Sequence, residues 1–242
     1  MSRRSGTTAN GQDSSSGQPS NNAQSKQAIL LAQDTGHFSL VRAMHLADVI
    51  TELNGFCGFM SVLSSMRYLL SDPSNLTNLW FALGFMPFGL FFDFFDGKVA
   101  RWRKKSSLMG QELDSLADLI SFGVAPAAVA FAVGFRTNFD QLFLTFYVLC
   151  GLTRLARFNV TVAMLPKDKS GKSKYFEGTP IPFACLTVSA IIATWTWFGL
   201  IHESIPLGTI LDGTLLEFHP AVLLFVLNGS LMVSKTLHVP KP

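Results

Sequence analysis

Four aspartates, Asp93, Asp96, Asp114 and Asp118, stand in the stretch FFDFFDGKVARWRKKSSLMGQELDSLADLISFGVAPA that runs from Phe91 to Ala127. An ionised Asp at the centre of a bilayer costs about 2.5–3.5 kcal/mol even on insertion scales, so four of them in apolar sequence demand compensation. Asp93 and Asp96 are three residues apart and Asp114 and Asp118 four apart, which places each pair on one face of a helix. The short segment RWRKKSS between the pairs makes the two helices antiparallel neighbours and lets the two faces meet. Arg101 adds only one positive charge to such a cluster, and one or two divalent ions fit the remaining deficit. Carboxylate oxygens with no His or Cys nearby favour Mg²⁺ or Mn²⁺. Asp93, Gly97 and Arg101 follow one another at four-residue steps, Asp96 and Ala100 form the adjacent row, and Gly110 precedes Asp114 by one turn. The small residues leave room for a bulky polyanion, and the Arg can grip phosphate as a fork. The surface suits a diphosphate bridged by metal. Pairing of the acids with Arg101, Arg103, Lys104 and Lys105 alone would require neither this spacing nor the glycines.

The elements that carry these residues are those of a membrane protein. Of the 242 residues 48% are hydrophobic and only 14% charged, and mean hydropathy is +0.33, against about 25% charged residues in soluble domains. The net charge of +3 gives no reason to expect nucleic acid. Cys57, Cys150 and Cys185 form no CxxC pair and read as packing residues. Residues 1–27 are Ser, Gln, Asn, Gly and Thr with a few charges, a composition expected to stay disordered and without the apolar core of a secretory signal. Residues 28–48 are semi-apolar and admit two readings, an interfacial amphipathic helix or a connector. From residue 49 to 242 about six apolar stretches are long enough to span a bilayer, near 49–70, 78–100, 108–134, 139–162, 180–201 and 219–237. With a cytosolic N-terminus, all 19 Lys and Arg except Arg67 and Arg136 fall on the cytosolic side, the positive-inside pattern. Tyr68, Trp80, Trp102, Trp195 and Trp197 lie near span ends, where an aromatic belt is expected. The fold class is therefore an all-α integral membrane protein of about six helices with both termini in the cytosol.

Written out, the acidic stretch is Asp93-x2-Asp96-Gly97-x2-Ala100-Arg101-x8-Gly110-x3-Asp114-x3-Asp118, eight fixed positions within 26 residues. It resembles the complete signature of the CDP-alcohol phosphatidyltransferase family, six-span membrane enzymes that move a phosphatidyl or phospho-alcohol group from a CDP-linked donor to a hydroxyl and release CMP. The resemblance implies metal binding by Asp93, Asp96, Asp114 and Asp118. It also implies contact of Gly97, Ala100, Arg101 and Gly110 with the CDP part of the donor, and a base role for Asp118. A homodimer is a further implication of the family. An endoplasmic reticulum location follows from the signal-free polar tail.

The acceptor must be read elsewhere. The fourth span ends in GLTRLARFNVT, Gly151 to Thr161, and a basic loop leads to YFEGTPIPFA, Tyr175 to Ala184. Together these resemble the branch of the family that joins CDP-diacylglycerol to L-serine. Arg154 and Arg157 share a helix face, and intramembrane arginines require anions: the serine carboxylate, a substrate phosphate or the acids themselves. Phe158 either walls the acceptor pocket or faces lipid. Asn54, with Gly55 and Gly58, either lines the nucleotide cavity or packs helices. Pro180 and Pro182 are expected to start the fifth helix, with Gly178 allowing a close backbone approach. His45, His202, His219 and His238 form no ligand pair and are expected to have no catalytic role. Two alternatives stand beside serine transfer: the same chemistry with glycerol 3-phosphate or inositol as acceptor, and a divalent-cation transporter. A transporter would spread its acids along a path and would not need Gly97, Gly110 or Arg101.

Overall fold

A computed structural model describes residues 44, 46–103, 108–164, 175–234 and 238–240. The chain divides into two units, Met1–Met44 and His45–Pro242, and the described helices all belong to the second. The tail expected over 1–27, and the segment 28–48 up to position 45, lie outside the described residues apart from position 44. The helices are α1 Leu46–Leu70, α2 Thr77–Arg103, α3 Leu108–Asp118, α4 Ala125–Val133, α5 Asn138–Met164, α6 Ile181–Trp197 and α7 Leu223–Val233. A π-helical turn, Leu119–Val124, joins α3 to α4 into one rod. Two three-residue strands, β1 Tyr175–Glu177 and β2 His238–Pro240, pair antiparallel with Phe176 opposite Val239.

Each of the six apolar stretches contains helix. Among the described residues three helical segments are long and apolar enough to cross a membrane: Leu46–Leu70, Thr77–Val99 and Met109–Val133. α5 matches them in length but carries Asp140, Arg154 and Arg157. α6 and the segment Pro220–Val233 are shorter than the apolar stretches that contain them. α6 stops at Trp197, and Phe198 to Leu200 close it with a turn. α7 ends at Val233, after which Ser234 is extended. α1 begins at Leu46, so positions 46–48 belong to the first long helix.

Burial in α1 is inverted relative to a soluble helix. Its inward stripe is Asp48, Thr51, Asn54, Cys57, Gly58, Ser61, Ser64, Ser65 and Tyr68. Its outward residues include Phe56 (56% exposed), Phe59 (55%) and Leu70 (90%). Small and polar residues inward with aromatics outward is the arrangement of a helix that packs on other helices and meets hydrocarbon. α1 packs along α2 and also touches α3, the π turn and α4, so its polar stripe faces the acid-bearing helices. Gly58 makes the crossing possible: a Cβ there would lie 2.6 Å from the Cα of Ser121.

Opposite the acidic end, the connections are locked by polar pairs. Thr137 and Asp140 cap α5 reciprocally, each backbone N–H donating to the other side chain at 3.2 Å. Asp140 also accepts from the backbone N–H of His219 at 3.0 Å and lies 2.7 Å from His219 Nδ1, which fastens the start of the last helical segment. Tyr68, expected in the aromatic belt, is instead buried, with its hydroxyl 2.7 Å from His202 Nε2. Trp102 and Trp197 are well exposed, as belt residues require. All three cysteines are free and buried.

Candidate active site

Asp93 and Asp96 sit in the second half of α2; Asp114 and Asp118 lie on α3, with Asp118 its last residue. The antiparallel arrangement brings carboxylate oxygens of Asp93, Asp114 and Asp118 within 4.8 Å of one another. Asp96 is buried beside them, and its Oδ2 accepts the hydroxyl of Thr51 at 2.8 Å. Asp118 is buried, and its Oδ1 accepts from the Asn54 side-chain amide at 3.1 Å. Thr51 and Asn54 are one turn apart on the inward stripe of α1, so that helix orients one acid from each motif half.

The trio fits a hard divalent cation. At an effective dielectric constant of about 20, two full charges 4.8 Å apart repel by about 3.5 kcal/mol. Among the described residues none of the three acids makes an ion pair that would offset this repulsion. Asp114 Oδ1 is buried without a hydrogen-bond partner among the described residues. An all-oxygen donor set matches Mg²⁺ or Mn²⁺.

Gly97 and Gly110 lie on α2 and α3 one turn from Asp93 and Asp114. Ala100 and Arg101 continue α2, and their side chains lie outside the described residues. On α5, Arg154 is largely buried within electrostatic reach of Asp118, and its Nε has no hydrogen-bond partner among the described residues. Arg157 donates from a terminal guanidinium nitrogen to the carbonyl of Val233 at 3.4 Å, at the C-terminal end of α7, where a cation is favourable. Phe158 is 40% exposed. The turn before α6 follows expectation: Pro180 precedes the first helical residue and Gly178, with φ +76°, lies against the carbonyl of Met232.

Several residues of this region carry no sequence signal of their own. Ser115 donates to Asn159 Oδ1 at 3.1 Å, and Asn159 donates to Glu112 at 3.2 Å, which ties α3 to α5 beside Asp114. Thr51 falls in an apolar run, although its place in the stripe Asp48, Thr51, Asn54, Cys57, Ser61 is visible once a period of three to four is sought. His202 and His219 are engaged by Tyr68 and Asp140, away from the acids.

Comparison with known proteins agrees with this geometry. The family described as CDP-alcohol phosphatidyltransferase matches residues 44–214. The chain is 56% identical over 210 residues to the CDP-diacylglycerol–serine O-phosphatidyltransferase of Saccharomyces cerevisiae, an alignment covering 86% of this chain and 75% of that protein. It is 38% identical over 148 residues to the Bacillus subtilis protein of the same name, covering 60% of this chain and 74% of the relative. With the archaetidylserine synthase of Methanothermobacter thermautotrophicus the identity is 37% over 153 residues, covering 62% and 58%. The matched region takes in the acid trio, the α1 stripe that orients it and the arginines of α5, and the chain belongs to the CDP-alcohol phosphatidyltransferase family.

Proposed function

We infer that the chain transfers the phosphatidyl group of CDP-diacylglycerol to the hydroxyl of L-serine, forming phosphatidylserine and releasing CMP. The observation that carries the chemistry is the convergence of Asp93, Asp114 and Asp118, with one buried carboxylate oxygen that no described residue partners. The choice of serine rests on the relatives named for it and on two arginines at the site's edge.

Asp93, Asp96, Asp114 and Asp118 would hold one or two Mn²⁺ or Mg²⁺ ions, with Asp96 contributing the oxygen not bonded to Thr51. When bound, the metal neutralises the diphosphate and the charge that builds up on departing CMP. Gly97, Ala100 and Gly110 keep the helix surfaces low enough for the donor to approach, Asn54 lines its cavity, and Arg101 grips a phosphate. Asp118 takes the proton of the serine hydroxyl as its oxygen attacks the phosphorus that carries diacylglycerol; the bond to the CMP phosphate breaks and its electrons leave with CMP. This role requires one oxygen of Asp118 outside the metal shell. Arg154 receives the serine carboxylate, with Arg157 and Phe158 at the border of the pocket. The donor's acyl chains stay in the bilayer, so the acids must lie at membrane depth, which explains their position inside long helices.

The molecule is an integral membrane protein. We place both termini and the site on the cytosolic face of the endoplasmic reticulum, with six spans and a homodimeric assembly. Purified enzyme given labelled CDP-diacylglycerol, Mn²⁺ or Mg²⁺, and serine, glycerol 3-phosphate or inositol in turn is expected to release CMP with serine only and to stop on chelation. CMP release driven by another acceptor would replace serine. Serine-independent ion flux without CMP release would establish a transporter.

A further inference from the structure

We propose that Tyr147 is a positioning residue for Asp118, acting through the π-helical turn next to that acid. The turn spans Leu119–Val124 and is closed by the Ala125 N–H bonding back to the carbonyl of Ile120, five residues earlier. Pro126 has no N–H. In an α register its donor would have reached the carbonyl of Phe122, and in a π register that of Ser121, so the proline leaves one of these without its main-chain donor and the return from π to α register passes over the other. Ser121 is 0% exposed and Phe122 1%, which denies both carbonyls bulk water. The Tyr147 hydroxyl, on α5 and itself fully buried, donates to Phe122 O at 2.9 Å. The Cys185 thiol stands 4.0 Å from Ser121 O, a weaker substitute. Without the tyrosine hydroxyl, an unsatisfied buried carbonyl would remain in the turn.

From the turn the connection runs directly to the acid. The Ser121 hydroxyl donates to the backbone carbonyl of Asn54 at 2.8 Å, and the Asn54 amide donates to Asp118 Oδ1. Asp118 is also the last residue before the turn, so any rewinding rotates it on α3. The extra residue of a π turn swings the helix on its N-terminal side by about 100° relative to the helix on its C-terminal side, and π turns recur at functional sites for that reason. Tyr147 thus fixes both the direction of Asp118 and the helix that hydrogen-bonds it, without touching substrate or metal. Ser189 bonds to a sulfur and Thr196 within its own helix; Tyr147 bridges from α5 to a carbonyl that Pro126 cannot serve.

This inference rests on the metal role assigned to Asp118. The test measures Mn²⁺ affinity of the purified full-length protein without substrates, from the loss of the free-ion signal in electron paramagnetic resonance. Tyr147→Phe is expected to weaken Mn²⁺ binding about tenfold, the lower end of what supporting residues around metal ligands are worth. Ser61→Ala is the control, because Ser61 makes an equally buried bond to Ala82 O at 2.7 Å in the α1–α2 packing, away from the acids; its affinity should stay within about twofold of the parent. Pro126→Ala returns a main-chain donor to the turn, so adding Tyr147→Phe to it should cost far less than in the parent. If Tyr147→Phe alone does not accumulate, recovery of Mn²⁺ binding in the double variant carries the same comparison. An unchanged affinity in Tyr147→Phe, a loss no larger than that of Ser61→Ala, or strict additivity with Pro126→Ala overturns the proposal. Failure of the parent protein to bind Mn²⁺ would instead overturn the metal site itself.

Discussion

Acids largely withdrawn from solvent stand at both ends of this helix bundle, a cluster at one and Asp140 at the other, and they are treated in opposite ways. Asp140 is 0% exposed, and both its oxygens are engaged, by the N–H of Thr137, the N–H of His219 and the His219 ring. Asp93, Asp114 and Asp118 are crowded together, one oxygen has no partner among the described residues, and none of those residues forms an ion pair with them. Both arrangements bury negative charge, which is costly unless it is compensated. At Asp140 the protein supplies the compensation and gains an anchored loop and a capped helix. At the trio the described residues leave the charge uncompensated, and a cation and a polyanionic substrate would complete the site. A fully satisfied acid is read as architecture, an unsatisfied cluster as chemistry.

The comparison breaks most visibly if the two ends are neutralised one at a time. Asp118→Asn is expected to lower CMP release by at least about a thousandfold while the protein still inserts, because base and metal ligand are lost together. Its melting temperature in chelator should be unchanged or higher, since a like charge has been removed from the cluster. Near-normal turnover would remove the base assignment. Asp140→Asn is expected to do the reverse. Loss of the charge facing His219 in a buried network should cost about 2–4 kcal/mol in detergent denaturation, with turnover per folded molecule unchanged. A stable but inactive Asp140→Asn protein would show that the far end takes part in catalysis.

Smaller changes sharpen the contrast. Thr51→Val deletes the hydroxyl on Asp96 and keeps the shape of the side chain, and should reduce turnover or metal affinity about tenfold, with little loss of stability. At the far end, His202 provides a pH test. Burial, and after it the Arg136 charge, hold its pKa below the ordinary value of 6.5. The unfolded chain therefore binds this proton more readily than the folded one. Stability from the neutral His202–Tyr68 contact is complete above about pH 6.5 and falls as pH drops through the interval down to the lower folded value. Melting temperature measured across that range should decline, and His202→Gln should flatten the decline. A parallel fall in the variant would assign the titration to another group.

Much of this is legible in the sequence where the signal is local. The spacing of Asp93, Asp96, Asp114 and Asp118 sets their faces, and the lengths of the apolar stretches locate the helices. The turn Gly178-Thr179-Pro180 is readable because glycine and proline restrict the backbone whatever surrounds them. The hidden features depend on long-range partners. Asp140 and His219 are 79 residues apart in the chain, and neither spacing nor composition relates them. Tyr147 is one aromatic in an apolar helix, and its role exists only because Pro126, on another element, leaves a carbonyl free. Tyr68 is not the belt residue its sequence position suggests, because a place near a helix end looks the same whether the ring turns outward or inward. α6 ends earlier than its apolar stretch because apolar residues continue into the turn after Trp197. Hydropathy does not register backbone conformation.

The central claim is that the trio is a cation site built by leaving carboxylates unsatisfied. Anomalous diffraction at the manganese edge, from crystals of the full-length protein grown with Mn²⁺, tests it most directly. The account predicts a peak about 2.2 Å from oxygens of Asp93, Asp114 and Asp118, the range for oxygen ligands of a small divalent ion, and none at Asp140. A protein that shows serine-dependent CMP release under the same conditions, with no peak at the trio, would contradict it.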